Sequence, residues 1–260
     1  MRLSILMPAY NEARTIEKVV DTVLATPYDK ELIIVDDGST DGTREIIERL
    51  AGRPGVQVFF HQRNQGKGAA VRTALKQAGG EVVIIQDCDL EYDPHEYGVL
   101  LAPIEEGRAD VVFGSRSFGS HNAFSFWFVM GNKLVTLATN VLFDCYITDM
   151  ETCYKVMRLD AARRLTLTAR GFELEPEITG GLLNLGYRIY EVPISYAARS
   201  REEGKKLTWK DGVRALSTLL RVRASRRRHR IAAGLSPLTM APPPSPASVA
   251  SAPAKVEVDA

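Results

Sequence analysis

Short apolar runs alternate with segments of helical periodicity along the first part of the chain. Uninterrupted apolar runs are typical of strands whose sheet is covered on both faces, and apolar residues three and four apart are typical of helices that pack one face on such a sheet. We therefore expect an α/β fold, with a mostly parallel sheet flanked by helices. The predicted strands are 3–7, 31–35, 56–61, 82–85 and 110–114, with helices at 13–25, 43–50, 68–77 and 94–106.

The pattern changes after residue 115. Aromatic residues crowd the segment 118–130, and a helical run follows through Leu134, Leu137 and Val141. A last helix has one apolar stripe and leads into an arginine-rich segment that ends at Arg230. The other elements predicted in this part are helices at 161–167, 175–185 and 209–223 and a strand at 187–192, and the stripe of the last helix is Trp209, Val213, Leu216 and Leu220.

Composition narrows the classes of partner. A chain with 45% hydrophobic and 25% charged residues has the composition of a globular protein, and its net charge of +1 points to no polyanionic partner. The arginine-rich segment has no aromatic stacking platform, so we expect no nucleic-acid binding. Three cysteines without a CxxC pair indicate a reducing, intracellular compartment. We expect no signal peptide and no membrane span, because no apolar run approaches the ~20 residues that a span needs.

Four polar clusters follow the first four predicted strands. The carboxyl ends of parallel strands share one edge of a sheet, and ligands bind at that edge in open α/β folds. We therefore expect the four clusters to converge there, which weighs more than any one motif. In chain order they occupy residues 8–12, 36–42, 64–68 and 87–91.

Asp87, Asp89 and Glu91 alternate along the chain, so an extended backbone would turn all three carboxylates to one side. Such oxygen ligands suit Mg²⁺ or Mn²⁺, which commonly bridge carboxylates and a substrate diphosphate. The alternative is a solvated acidic turn, with Asp93 capping the next helix. The buried strand before the cluster and the three neighbouring loops favour the metal site.

The other clusters have structural alternatives of equal simplicity. Residues 36–42 are typical of a turn that leads into a capped helix, although an aspartate there can also accept hydrogen bonds from a ribose or a base. The Gly66-Lys67-Gly68 segment offers backbone N–H groups and one cation to a phosphate or ribose, although such a motif on its own is more often a turn. It lacks the rest of a P-loop, so an ATPase is a weak interpretation.

Together these segments resemble the family 2 glycosyltransferases of the GT-A fold, most closely the dolichol-phosphate mannose synthase-like branch. The similarity runs in the expected order from about residue 3 to residue 225. Its motifs in this chain are SILMPAYNE, IIVDDGSTDGT, NQGKGAAVRTAL, QDCDLEYDP, VVFGSR, TDMETCYK, FELEPEI, GYRIYEVPISY and RSREEGKKLTWKDG.

The resemblance implies a division of the chain. Residues 1–232 would form one GT-A domain, with a nucleotide-binding part at about 1–116, an acceptor part at about 117–207 and a basic amphipathic helix at about 208–231. Residues 233–260 are rich in Pro, Ala and Ser and cannot bury enough apolar surface to offset their ordering entropy, so we expect a disordered tail.

The resemblance also implies roles for residues on the donor side. The nucleotide base would be cradled by Pro8, Ala9, Tyr10 and Glu12. Asp37 would hold the base or ribose, and Lys67 would lie near the nucleoside. Asp87 would contact ribose or metal, while Asp89 and Glu91 would hold Mg²⁺ or Mn²⁺ on the donor diphosphate. The branch often has Gln in place of Glu91, a change that keeps an oxygen ligand.

The reaction implied is an inverting displacement at the anomeric carbon. The leaving nucleoside diphosphate gains negative charge, which the metal, Arg116, Arg199 and Lys205 would stabilise where it develops. Asp149 falls where related enzymes place an acceptor-side carboxylate. A hydroxyl acceptor would need Asp149 as general base, whereas a phosphate acceptor is already an anion and would need none.

The sequence therefore predicts a metal-dependent transferase that moves a hexose from GDP-mannose or UDP-glucose to polyprenyl or dolichyl phosphate. The alternatives are the same donor chemistry with a hydroxyl acceptor, in a glycolipid or polysaccharide, and a catalytically dead nucleotide-sugar-binding protein. Two departures bear on the acceptor: Thr152-Cys153-Tyr154 stands where many mannose synthases have Thr/Ser-Gly-Phe, and residues 119–123 contain no arginine.

Two segments suggest a membrane surface. The aromatic residues at 124–128 fit either a buried core helix or an apolar lip for a polyprenyl chain. The helix at 209–223 and the following arginines fit either a helix packed on the sheet or a basic amphipathic helix on an anionic bilayer. We expect peripheral attachment to the inner face of the cytoplasmic membrane.

Overall fold

The computed structural model describes residues 1–117, 126–198, 209–232 and 234. One seven-stranded sheet lies at its centre, in the order β3-β2-β1-β4-β6-β5-β7. The strands are β1 (Leu3–Ala9), β2 (Lys30–Asp36), β3 (Val56–Phe60), β4 (Val82–Ile85), β5 (Val111–Ser115), β6 (Lys155–Arg158) and β7 (Ile189–Pro193). The helices are α1 (Ile16–Ala25), α2 (Thr43–Leu50), α3 (Lys67–Gln77), α4 (Tyr97–Glu105), α5 (Phe126–Phe143), α6 (Leu159–Arg163), α7 (Leu174–Leu185), α8 (Trp209–Ala224) and α9 (Arg226–Ala232).

The predicted α/β fold with a mostly parallel sheet is confirmed. The strands β1 and β2 are buried along nearly their whole length, because helices cover both faces of the sheet. Helix α1 packs on the sheet through Ile16, Val19, Val20 and Val23, which have the spacing that predicted this helix. The boundaries of the other helices and strands differ little from the predicted ones. However, a short 3₁₀ helix (Pro94–Glu96) precedes α4, and the helix predicted at 161–167 ends at Arg163.

Strand β6 was not predicted from the sequence. It has four residues, Lys155–Arg158, and a charged residue at each end, so it lacks the uninterrupted apolar run that identified the other strands. It pairs antiparallel with both β4 and β5, whereas the other pairs in the sheet are parallel. The amino end of β6 therefore lies at the edge where the parallel strands end.

Helices α5 and α8 share a small second core, formed by Val135, Ile147, Met150, Ala215 and Leu219. Of the predicted apolar stripe of α8, Leu216 packs on this second core. Val213 and Leu220 are 57% and 58% exposed, because α8 packs on α5 and α7 through the face that contains Leu219 and Val222. The Trp209 side chain is outside the described part of the structure.

Some predictions concern residues that the structure does not describe: the aromatic residues before 126, the segment 199–208 with Arg199 and Lys205, and the tail, apart from Gly234. Within the described ranges, no helix combines the length and the apolar character that crossing a membrane requires.

Candidate active site

A cleft of about 350 Å³ opens at the edge of the sheet where the parallel strands end. The four polar clusters converge on it as predicted, and the end of β5, the turn before β6 and the start of α7 complete its walls. Ten of the predicted site residues line this cleft: Pro8, Ala9, Tyr10, Glu12, Asp37, Lys67, Asp87, Asp89, Glu91 and Arg116.

Asp37 fixes the loop that follows β3. One carboxylate oxygen accepts hydrogen bonds from the backbone N–H of Gln65 at 2.9 Å and lies 2.7 Å from Nδ1 of His61. The other accepts from the N–H of Gly66 at 2.7 Å. The side chain therefore joins the end of β2 to the loop that leads into α3, and the role predicted for it with a base or ribose stays a prediction.

The glycines on both sides of Lys67 are required by close packing. Gly66 has a φ of 95°, and a Cβ atom there would collide with the carbonyl of Arg170. A Cβ atom at Gly68 would collide with the carbonyl of Ala169. Since the N–H of Gly66 already binds Asp37, these glycines serve to press the loop on residues 169–171 and so to direct Lys67 into the cleft.

Lys67 belongs to a chain of alternating charges. Its Nζ lies 2.9 Å from both carboxylate oxygens of Asp87, 3.3 Å from Oε1 of Glu175 and 3.4 Å from Sγ of Cys153. Oε2 of Glu175 accepts in turn from Nζ of Lys155, a fully buried side chain, at 2.6 Å. Burial alone would lower the pKa of Lys67, but Asp87 and the other anions outweigh it and hold that pKa above its ordinary value. Lys67 is therefore a charged group in the cleft wall.

Arg116 and Asp149 form a bidentate ion pair. Nε of Arg116 donates to Oδ2 of Asp149 at 2.6 Å, and a terminal nitrogen donates to Oδ1 at 2.8 Å. Asn132 of α5 donates to the same Oδ1 at 3.0 Å, and the guanidinium lies over the Tyr196 ring, 4.9 Å from its centre. Burial alone would raise the pKa of Asp149, but Arg116 outweighs it and holds this pKa below its ordinary value.

This pair bears on the role predicted for Asp149. The carboxylate is 1% exposed and lies behind Arg116, outside the set of residues that line the cleft. A general base must reach the proton that it removes and bind it near the working pH. Asp149 meets neither condition in this geometry, and it acts here as the counter-ion that orients Arg116.

The acidic segment after β4 is not extended, so that part of the prediction was wrong. Leu90 has a φ of 62°, a strained value for a bulky residue, and the chain bends there. Asp87 is paired with Lys67, and Glu91 accepts a hydrogen bond from the Tyr196 hydroxyl at 2.6 Å. Asp89 accepts from the N–H of Glu91 at 3.2 Å. The bend still leaves all three side chains on the cleft wall.

The acidic segment fits a metal that the substrate helps to bind. In the part of the chain that the structure describes, no three His, Cys, Asp or Glu side chains gather closely enough to hold an ion by themselves. Mg²⁺ is usually bound by one or two carboxylates together with substrate phosphates. Asp87 and Asp89 have the right chemistry for this, with the remaining ligands supplied by a diphosphate.

Sequence reasoning missed two carboxylates of the cleft, Glu151 and Glu175. Both lie in segments that carry the family resemblance, 148–155 and 172–178, but no role was assigned to them. Glu175 joins Lys67 to Lys155, as described above. For Glu151, no side-chain hydrogen bond or ion pair to another described residue is present in the structure. Burial raises the pKa of Glu151 to about 7.

Comparison with known proteins identifies the family. The family model for glycosyl transferase family 2 matches residues 4–166. The chain belongs to this family. The resemblance inferred from the motifs is therefore confirmed, and so is the expectation of a glycosyltransferase.

The curated relatives have polyprenyl-phosphate names. The dolichol-phosphate mannosyltransferase of Pyrococcus furiosus is 27% identical over 213 residues, which cover 79% of this chain and 59% of that protein. The undecaprenyl-phosphate mannosyltransferase of Micrococcus luteus is 27% identical over 225 residues, covering 79% and 87%. The dodecaprenyl-phosphate galacturonate synthase of Rhizobium johnstonii is 27% identical over 215 residues, covering 79% and 62%. The chain thus spans about three fifths of the length of two of these relatives.

Solved structures confirm the GT-A fold. The glucosyl-3-phosphoglycerate synthase of Mycobacterium tuberculosis, solved with Mn²⁺, UDP and phosphoglyceric acid, superimposes with a TM-score of 0.61 at 21% identity, covering 90% of this chain and 79% of that one. TarS of S. aureus superimposes with a TM-score of 0.56 at 20% identity, covering 86% and 72%.

Proposed function

We propose that this protein is an inverting transferase that moves a hexose from a nucleotide sugar to polyprenyl phosphate. The observation that carries the proposal is one cleft whose walls present two paired, partly buried cations, Lys67 and Arg116, together with the carboxylates of Asp87 and Asp89. The lipid-phosphate names of the relatives support the acceptor class. GDP-mannose and UDP-glucose both remain candidates for the donor.

The charges of the cleft suit a departing diphosphate. As the bond to the anomeric carbon breaks, the nucleoside diphosphate gains negative charge, and cations already in position stabilise it most. Arg116 has this property because Asp149 and Tyr196 fix its guanidinium. A bound Mg²⁺ or Mn²⁺ would supply further neutralisation as a Lewis acid, with Asp87 and Asp89 as its protein ligands. Arg199 and Lys205 stay predictions for the same charge.

The state of Asp149 favours a phosphate acceptor. A phosphate monoester attacks as an anion and needs no general base, and Asp149 is ionised, buried and bound to Arg116. The second candidate, a hydroxyl acceptor in a glycolipid or polysaccharide, requires a base within reach of the cleft, and Glu151 is the carboxylate placed for that. A catalytically dead binding protein is disfavoured because the cleft retains the charged groups that suit transfer, and ion pairs hold these groups in position.

We also propose that the protein binds its lipid acceptor at the surface of a bilayer, and that the outer face of α5 contacts this bilayer. This face is apolar and exposed along the helix, with Trp127 at 79% and Val141 at 74% exposure. Its members recur at intervals of three and four residues and form one stripe, which we call the α5 stripe: Trp127, Met130, Leu134, Leu137 and Val141. Contiguous exposed apolar surface of this kind marks a site of contact with a protein or a membrane.

The basic residues of α8 and α9 favour an anionic bilayer as the partner of the α5 stripe. Arg223 of α8 donates from Nε to the carbonyl of Leu142 at 2.8 Å, which fastens the basic segment to the end of α5. The neighbouring arginines are Arg221, Arg226, Arg227 and Arg228. Each basic residue near an anionic surface contributes about 1 kcal/mol of binding. The membrane attachment predicted from residues 124–128 and from α8 therefore becomes a proposal for α5 and α8 together.

Helix α5 links this surface to the cleft. Asn132, on the other side of α5, donates to Asp149 and so supports the Arg116 pair. A bilayer against the α5 stripe would thus lie one helix away from the acceptor side of the cleft. A position on the inner face of the cytoplasmic membrane stays a prediction, in keeping with three cysteines that are free thiols.

A transfer assay tests the function. The full chain is given GDP-mannose or UDP-glucose with Mn²⁺ and either a polyprenyl phosphate or a polyprenol glycoside in detergent, and the lipid product is analysed by mass spectrometry. We expect sugar transfer to the phosphate alone. Transfer to the glycoside alone would contradict the proposed acceptor, and failure to bind or transfer either sugar nucleotide would contradict the enzyme assignment.

A further inference from the structure

The turn that leads into β6 alternates between the core and the cleft. Met150, Thr152 and Tyr154 are fully buried, whereas Glu151 and Cys153 line the cleft. The backbone here is a turn, which includes residues 150 and 151, and the N–H of Lys155 donates to the carbonyl of Cys153 at 2.7 Å. Because β6 is antiparallel, its amino end brings the turn to the edge where β1 and β4 end. The fold thereby places Glu151 on the wall of the cleft.

Glu151 is a carboxylate of the cleft wall without a cation of its own among the described residues. Three nearby cations in the described part of the chain each have their own carboxylate: Arg116 has Asp149, Lys67 has Asp87, and Lys155 has Glu175. None of the described lysines, arginines or histidines forms an ion pair with Glu151. A carboxylate that is partly buried and has no cation of its own favours its protonated form.

Charged residues that surround Glu151 influence its pKa. Burial is the main reason that its pKa rises to about 7; Glu175 and Asp149 raise the pKa further, while Lys155 and Arg116 lower it. Near neutral pH this side chain is therefore divided between an acid that donates a hydrogen bond and an anion that repels other anions.

We propose that Glu151, in its protonated form, donates a hydrogen bond to the phosphate of the acceptor and thereby selects an anionic acceptor. The inference rests on the proposed function, since it assigns a recognition residue to the same cleft. During transfer a phosphate oxygen forms the bond to the anomeric carbon, the nucleoside diphosphate leaves with the electron pair, and Glu151 keeps its proton. Arg116 stabilises the negative charge of the leaving diphosphate, and Glu151 supplies the contact with the acceptor that depends on pH.

The assignment has a measurable consequence for acceptor binding. Above about pH 7 the acceptor phosphate is a dianion, since its second pKa is about 6. A rise in pH then changes Glu151 and leaves the acceptor unchanged. Because ionised Glu151 repels the phosphate, we expect the KM for polyprenyl phosphate to rise about tenfold from about pH 7.5 to about pH 8.5. Calorimetry in two buffers of different ionisation enthalpy should show proton uptake when the acceptor binds.

The variant Glu151→Gln tests the inference, because the amide is isosteric and donates at every pH. We expect its KM for polyprenyl phosphate to lose the rise with pH and its acceptor binding to take up no proton. Glu106→Gln is the matched control, since Glu106 is an exposed carboxylate remote from the cleft, and it should keep the wild-type profile.

Two results would overturn the inference. One is a Glu151→Gln enzyme whose KM still rises with pH as in the wild type. The other is a fall in kcat of about 100-fold or more with KM still dependent on pH, which would identify a general base. If the wild type itself transfers no sugar to polyprenyl phosphate, the proposed function fails first, so the two failures are distinguishable.

Discussion

Asp149 accepts hydrogen bonds from the Arg116 guanidinium with both carboxylate oxygens, at 2.6 and 2.8 Å, and its carboxylate is almost completely shielded from water. A buried ion pair is strongly destabilised when one partner is removed, because the other charge is left uncompensated. The cleft therefore depends on Asp149 for the position of its guanidinium, whichever acceptor it serves.

We expect Asp149→Asn to reduce turnover and stability together. The loss should be about 3–5 kcal/mol in the free energy of unfolding, measured by urea denaturation. The matched control is Asp21→Asn, which breaks the exposed pair with Arg53 and should cost less than about 1 kcal/mol. Loss of turnover with unchanged unfolding would contradict the counter-ion role and restore Asp149 as a base.

The same pair predicts the direction of a pH effect. The folded-state pKa of Asp149 is lowered, so its contribution to stability is complete above the unfolded-state pKa, near 3.8, and is lost as the pH falls through the lower folded-state value. Asp149→Asn should remove this part of the acid sensitivity. Unfolding measured against pH in wild type and variant gives the comparison, and parallel curves below about pH 4 would argue against it.

Metal binding should depend more on Asp89 than on Glu91. Glu91→Gln keeps an oxygen that can bind a cation and accept from the Tyr196 hydroxyl, and the family branch often has Gln at this position. Asp89→Asn removes a charge, and the family pattern gives no such precedent for it. We expect Mn²⁺ to raise the melting temperature of the wild type and Glu91→Gln in the presence of UDP or GDP, and to have little effect on Asp89→Asn. An equal loss in both variants would point to a site that needs all three carboxylates.

Replacement of Gly66 should disturb the loop that presents Lys67. Gly66→Ala places a methyl group against the carbonyl of Arg170, in addition to the strain of a positive φ. Gly107→Ala is the control, because Gly107 has a φ of 69° but no atom within 4 Å of the added Cβ. We expect the control to lose about 1 kcal/mol of stability and Gly66→Ala to lose more, with weaker nucleotide binding. Equal losses would show that the contact with residues 169–171 is unimportant.

The α5 stripe should bind anionic membranes. The double variant Trp127→Ser and Leu134→Ser should float less with vesicles that contain phosphatidylglycerol, and neither form should bind pure phosphatidylcholine strongly. Val99→Ser removes an exposed apolar residue of α4, 49% exposed, and should bind as the wild type does. Equal flotation of the double variant would refute this surface. A dimer that the double variant dissociates, without vesicle binding, would assign it to a second copy of the chain.

Most of the donor side was predictable from the sequence because it depends on uninterrupted apolar strands. Such strands are easily identified, and once they are parallel the polar residues after them must meet at one edge. This is why Asp37, Lys67 and Asp89 were correctly placed on one cleft. The same reasoning failed for the shape of the acidic segment, since the bend at Leu90 leaves no signal in the spacing of the carboxylates.

The acceptor side was less predictable because it depends on β6. A four-residue antiparallel strand has too little pattern to be identified, and the search for polar residues at carboxyl ends cannot find residues that precede a strand. Glu151 was missed for that reason. Helical periodicity also left open what the stripe of α8 contacts: Leu216 packs on the second core, whereas Val213 and Leu220 are exposed.

The reversed direction of β6 restricts how this enzyme can diverge. The turn before it is anchored at one end by Asp149 on Arg116 and at the other by Lys155 on Glu175. Inserting or deleting one residue between these anchors would displace Glu151 from its place on the cleft wall while the ion pairs still held both ends of the turn. The length of this turn is therefore more constrained than its amino-acid composition. Relatives with other acceptors should differ here in the identity of the side chains and not in the number of residues.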